Sequence, residues 1–363
     1  MKTKRDIYCE YGFWEAFFET ESQIIIDRTK RRLWDAFFVF LSSNNLFFDV
    51  PNQSVNSQTS GGKYLNELWQ TKGGAGILFI PKEFPKIENI SDNDDERLNS
   101  VFLTMETTTV CKQLSERKGV IVLNLDMIFT AKHIFNDNGT SFYKSTGQNW
   151  TFLWNLKEKC PSICHCNSLV IADRYLLSDK NVNAFDSNLR PIFNAILPQQ
   201  LDCGIIFTIS ILAENLSASI NDKLLRLENL VKELRPLLNF SLNIFDTNKI
   251  HDRSILTNNI ILTSGAGFDV IGNNAQPLKF TTTSLRFPFL QNETNGSTTY
   301  LDWIYNLLKV EKKCRLYNHN YFGSIIPRSH LLDCYREEPV RAVSKIRVND
   351  AFSDLFRNAS SRY

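Results

Sequence analysis

The chain has 363 residues, room for about two domains at roughly 150 residues each. Hydrophobic residues make up 43% and charged residues 22%, with 27 phenylalanines, so there is ample apolar surface to bury and no case for a disordered chain. Lysine and arginine number 41 against 39 acids, a net charge of +2, which excludes a global electrostatic footprint for nucleic acid and leaves that role to a local patch.

Met1-Lys2-Thr3-Lys4-Arg5 runs into Asp6 without the apolar stretch of a signal peptide. No window reaches the roughly 18 uncharged apolar residues of a transmembrane helix. The expectation is a cytoplasmic protein, in which Cys9, Cys111, Cys160, Cys164, Cys166, Cys203, Cys314 and Cys334 are thiols. Cys160, Cys164, His165 and Cys166 cluster, but a zinc site of the usual kind would need Cys203, Cys314 or His319 to complete it from afar. Small buried thiols beside a strand are the alternative.

In chain order, Asp6 to Glu10 is strand-like. Phe13-Trp14 with Phe17-Phe18 shows helical spacing, repeated by Leu33-Trp34, Phe37-Phe38 and Phe40-Leu41 after the cations Arg28, Lys30, Arg31 and Arg32. Those cations touch a phosphate backbone or form a solvated helix start. Residues 51 to 63 read as a loop, Gly76 to Pro81 as a short strand, and Asn89 to Glu96 as an acidic loop or helix start. Strands at Ser100–Thr104 and Gly119–Asn124 flank a helix at Val110–Lys118, a parallel α/β unit. Polar residues 136 to 150 make the domain boundary.

Beyond it, strands are expected at Ser168–Asp173, Ile205–Ile211, Leu238–Phe245 and Ser254–Ile261. Helices are expected at Asn188–Leu197, capped by Asn188, at Asn221–Leu234, closed by Pro236, and near Tyr300–Val310. The pattern β-α-β-α-β-β predicts a mixed, largely parallel sheet. The fold class is α/β, with an N-terminal domain over 1–150, a second over 151–275 and an extension, 276–363, packed on it.

One constellation carries chemistry. His251 and Arg253 are two apart at a strand start and so share a face, with Asp252 between them. Asn258 follows, then the turn Ser264-Gly265-Ala266-Gly267-Phe268-Asp269. An imidazole, a guanidinium and a donor-rich turn make a phosphate cradle. This segment resembles a phospholipase-D-like half-site, His-x-Lys-x4-Asp followed by a Gly-Ser turn, and is more similar still to the phospholipase-D-like domain at the C-terminus of MIT-domain proteins. That resemblance spans about 165 to 275 and also takes in Asp173 as the acid ending an upstream strand.

It implies His251 as nucleophile or proton donor, Arg253 as phosphate clamp, Ser264 with Gly265 as oxyanion contact, and Asp269 or Asp252 orienting the histidine. Phosphate would be held by Arg253, Asn258, Gly265 and Gly267. In the family a second histidine comes from a second half-site. Here His319 and His330 lie in no such repeat, so a homodimer would have to supply it. Arginine replaces lysine, and Asn258 stands where the family has an acid. A structural hydrogen-bond and salt-bridge cluster at a strand end is the competing reading.

The N-terminal half resembles a PIN-like nuclease, in which carboxylates beyond parallel strands hold two metal ions. Glu10, Glu106 and Asp126 are the candidate ligands, for magnesium or manganese, and Asp94 to Glu96 lie before a helix. Acids at that edge are also common in any α/β fold. The expected function is phosphodiester cleavage of nucleic acid, as in a microbial defence effector, with no cofactor required by the phospholipase-D route. The alternative is a non-catalytic module whose degenerate site holds phosphate, a lipid headgroup or a protein partner.

Overall fold

The computed structural model describes residues 5–24, 27–71, 74, 76–130, 140–145, 165–177, 185–214, 216, 220–248, 250, 253–264, 268, 281–286, 306–309, 321–323 and 329–334. The described strands form two sheets in an α/β arrangement.

The first sheet contains β1 (Asp6–Cys9), β2 (Asn45–Phe48), β3 (Ile77–Phe79), β4 (Val101–Leu103) and β5 (Ile121–Leu123), in the order β3-β2-β1-β4-β5. Every pairing in it is parallel. Helices α1 (Tyr11–Glu19), α2 (Glu21–Ile24), α3 (Arg28–Ser43), α4 (Ser60–Thr71), α5 (Asp95–Leu98), α6 (Thr108–Lys118) and α7 (Leu125–Thr130) connect these strands. The aromatic spacing does form helices: Phe13, Trp14, Phe17 and Phe18 of α1 and Leu33, Trp34, Phe37, Phe40 and Leu41 of α3 are buried. Phe17 and Trp34 stack at 5.1 Å between centroids. Asp27 starts α3 by accepting from the amides of Thr29 and Lys30.

Helix α4 begins inside the segment expected to be loop. Its Gly61 and Gly62 look like turn residues, but they serve close packing. A Cβ at Gly61 would stand 2.7 Å from Glu15 Oε2, and the Gly61 carbonyl accepts from Trp14 Nε1 at 2.8 Å.

The second sheet has β6 (Thr140–Ser145), β7 (Ser168–Ala172), β8 (Phe207–Ala213), β9 (Phe240–Asp246), β10 (Arg253–Thr257), β11 (Ile261–Ser264), β12 (Thr281–Arg286) and β13 (Tyr321–Gly323). Their order is β13-β9-β8-β7-β10-β11-β12-β6. Strands β7, β8 and β9 are parallel, and the remaining pairings are antiparallel. Helices α8 (Phe185–Ile196) and α9 (Ile220–Leu234) link the parallel strands, and α10 (His330–Cys334) lies near the end of the described chain.

Three expectations are corrected here. The single strand at Ser254–Ile261 is a hairpin, because Asn258-Asn259 reverse the chain and the Thr257 hydroxyl accepts from the amides of Asn259 and Ile260. Asn188 lies within the first turn of α8 and does not cap it, since the helix begins at Phe185. Strand β6, in the segment expected as a boundary, pairs with β12 in the second sheet.

One hydrophobic cluster runs through both sheets, from Ile7 to Phe268, and a smaller one packs Val170, Leu212 and Leu256 against Leu331 and Leu332. A set of buried polar contacts also joins the sheets along a seam. Asn258 Oδ1 accepts from the amides of Asn167 and Ser168, both at 3.0 Å. Its Nδ2 donates to Asn99 Oδ1 at 2.5 Å and Asn167 Oδ1 at 3.0 Å. Lys118, at the end of α6, donates to the carbonyls of Glu88 and Ile90 and pairs with Asp202. Gly119, at φ 66°, brings its backbone so close that a Cβ would meet the Cys166 carbonyl carbon at 2.6 Å. Such buried polar groups hold a specific arrangement only when partnered, as these are.

Candidate functional site

Strands β7, β8 and β9 end where β10 begins and β11 ends, because β10 runs against its neighbours. This edge therefore gathers residues far apart in sequence. Arg253 pairs in register with Ser264, and Ser254 with Ala172, which places Arg253 beside Asp173.

Asp173 is fully buried and its carboxylate is taken up by backbone. Oδ1 accepts from the Tyr175 amide at 3.0 Å, and Oδ2 from the Phe268 amide at 2.5 Å. Its own amide donates to the Leu212 carbonyl. Asp173 thus ties the chain beyond β11 to the end of β7. The charge-assisted bonds that do this are among the stronger hydrogen bonds available.

Two guanidiniums face the same ring. The Arg174 carbon lies 5.4 Å, and the Arg253 carbon 5.9 Å, from the centroid of Tyr175, within cation–π range. Arg174 also holds Glu214 through Nε and, at 2.9 Å, through Nη2. Asn188 in α8 and Lys223 in α9 are buried in the first turns of helices that leave this edge.

The predicted residues divide accordingly. Arg253, Ser264, Asp173 and Phe268 come together. His251, Asp252, Gly265, Gly267 and Asp269 lie outside the described residues. Asn258 does not join the others: it sits at the far end of β10, 1% exposed, with its amide committed to the seam. Its expected phosphate-binding role is therefore corrected to a structural one. Sequence spacing alone could not show this, because the hairpin turns the chain away at that residue.

At the first sheet, the order β3-β2-β1-β4-β5 reverses direction between β1 and β4, and ligands of open α/β sheets bind at such a switch point. Glu10 stands there. Its Oε1 accepts from Thr104 Oγ1 at 2.8 Å and its Oε2 from the Met105 amide at 2.7 Å, so it staples the loop after β4. Glu106 and Asp126 are exposed on the same edge. Among the described residues, no group of three His, Cys, Asp or Glu side chains lies together as a metal site would have them. The nearby Cys111 thiol is pushed up to about 12 by burial and by the charges of Glu106 and Glu10, which keeps it protonated and inert.

Of the basic cluster, Arg31 pairs with Glu21 and Asp35 and lies 5.1 Å from the Trp34 ring centroid, while Arg28, Lys30 and Arg32 are exposed. Cys166 is buried and Cys203 exposed, whereas Cys160, Cys164, Cys314 and His319 lie outside the described residues.

A buried charge cluster escaped the sequence reading. His330 Nδ1 meets Asp95 Oδ1 at 2.7 Å, and Nε2 meets the Ile206 carbonyl at 2.8 Å and Asp92 Oδ1 at 3.0 Å. Burial lowers the pKa of this imidazole, but the two aspartates outweigh it and hold the value above the ordinary 6.5. No local signal links His330 to residues more than 200 positions earlier.

No family model matches the chain, and no curated protein does. Among solved structures, TrmBL2, an archaeal chromatin protein described as showing a novel mode of DNA binding, aligns at 11% identity and a TM-score of 0.22. The alignment covers 51% of this chain and 54% of that one, so this chain spans about half of that protein's length. No helix among the described residues is long and apolar enough to cross a membrane.

Proposed function

We propose that the edge formed by β7, β10 and β11 is a phosphodiester-binding site of phospholipase-D type that acts on nucleic acid. The observation that carries this reading is the Asp173 clamp. One buried carboxylate, next to Arg253 in the sheet register, holds the Phe268 amide. An arginine at an edge whose chain is anchored beforehand offers an anionic phosphate a fork of donors at a lower ordering cost.

His251, two residues before Arg253, is the nucleophile in this proposal, and a second copy of the chain supplies the histidine that protonates the leaving oxygen. A second reading is binding without turnover. It is favoured by Asn258, which serves the seam where the catalytic family has an acid serving the histidine.

The test incubates the full chain with labelled single- and double-stranded DNA and RNA, in Mn²⁺ or EDTA. Metal-independent cutting that is lost in His251→Ala supports cleavage at this edge. Metal-dependent cutting that survives that change assigns the chemistry to the Glu10 edge. Binding that is lost in Arg253→Ala, without cutting, selects the second reading. A dimer that neither binds nor cuts removes all three.

A further inference from the structure

We infer that Arg174 is a second phosphate-binding cation, sharing the Tyr175 ring with Arg253, so that the edge takes two consecutive phosphates of a polynucleotide strand. This rests on the phosphodiester reading above and narrows it from any phosphodiester to a polymer.

Cations that each lie within about 6 Å of one ring centroid are at most about 12 Å apart, a distance that neighbouring phosphates of one strand can bridge. The Arg174 guanidinium is held in advance. The Tyr175 amide donates to buried Asp173, which anchors the backbone that carries the ring. Glu214, its side chain 11% exposed, grips Arg174 side-on through Nε and Nη2. A guanidinium held in this way still presents the edge that carries Nη1, and the Arg174 side chain is 39% exposed. Glu214 therefore orients Arg174 and partly neutralises it, but leaves a fork for an incoming oxygen pair. A lipid headgroup with a single phosphodiester would fill only the Arg253 position.

The experiment measures binding of the full chain to a labelled single-stranded oligonucleotide by anisotropy across a KCl series. It does the same for a dinucleoside monophosphate, by competition, and for phosphatidylglycerol vesicles. Losing one phosphate contact on a single strand lowers the slope of log K against log salt by about 0.7. We expect that drop for Arg174→Ala and again for Arg253→Ala. Arg174→Lys, which keeps the charge and its pairing with Glu214, should retain the slope. Glu214→Gln should tighten oligonucleotide binding. The dinucleoside monophosphate should respond to Arg253→Ala and not to Arg174→Ala.

A wild-type slope in Arg174→Ala, alongside a reduced slope in Arg253→Ala, overturns the two-phosphate inference and leaves the phosphodiester reading standing. No response to Arg253→Ala removes that reading itself. Binding to the vesicles with none to the oligonucleotide overturns the assignment to a polymer.

Discussion

Replacing Asn258 by aspartate exchanges an amide for a carboxylate of the same shape and separates two roles for this position. If position 258 served the histidine, as the acid does in the phospholipase-D pattern, the change would restore a missing acid. The structure predicts damage. The new carboxylate keeps the acceptor for the amides of Asn167 and Ser168. It loses both donors, so the side-chain oxygens of Asn99 and Asn167 face another oxygen in a buried seam. Each buried partner left unmade costs about 1–3 kcal/mol, so the variant should lose about 2–6 kcal/mol. That is a large share of the roughly 5–15 kcal/mol that keeps a domain folded. Urea unfolding followed by circular dichroism reads this as a lower midpoint at unchanged slope. Wild-type stability for Asn258→Asp, or a gain in phosphodiesterase activity, would refute the assignment of this residue to the seam.

The raised pKa of His330 carries a sign. Its stabilising contribution is fully present below the unfolded value of 6.5 and is lost as pH rises through the higher folded value. The thermal midpoint should therefore fall as pH rises above 6.5 through that higher folded value. His330→Gln should flatten that dependence, and a flat wild-type profile would contradict it. Gly119→Ala puts a side chain in the left-handed region, at about 1–2 kcal/mol, and drives a Cβ onto the backbone at Cys166. The expected result is a lower melting temperature by more than the backbone penalty alone. A variant within about 0.5 kcal/mol of wild type, the range of an ordinary surface change, would show that this approach can relax.

Much of the local structure was legible because it is local. The period of Phe13, Trp14, Phe17 and Phe18 dictates an amphipathic helix wherever that helix packs. The apolar runs at Ser168–Asp173 and Ile205–Ile211 read as strands, and strands form there at Ser168–Ala172 and Phe207–Ala213, buried on both faces. The hairpin was missed because Ser254 to Ile261 is apolar at both ends. Only the turn at Asn258-Asn259 shows that the two halves face each other. Helix α4 was missed for the opposite reason: Gly61 and Gly62 carry a loop signature, yet their smallness is needed for contact with α1.

At the candidate site, the sequence by itself determined a short list of groups with phosphate chemistry around Arg253 and Ser264, and Asp173 as an acid ending a strand. Only the tertiary structure decided which of them meet. Strand order places Asp173 beside Arg253, and the reversed direction of β10 sends Asn258 to the opposite end of the sheet. The same order brings in Arg174, Tyr175 and Glu214, which no motif marked. The physical reason is that side-chain chemistry and periodicity are written residue by residue, whereas proximity across a sheet depends on pairing between segments far apart in the chain.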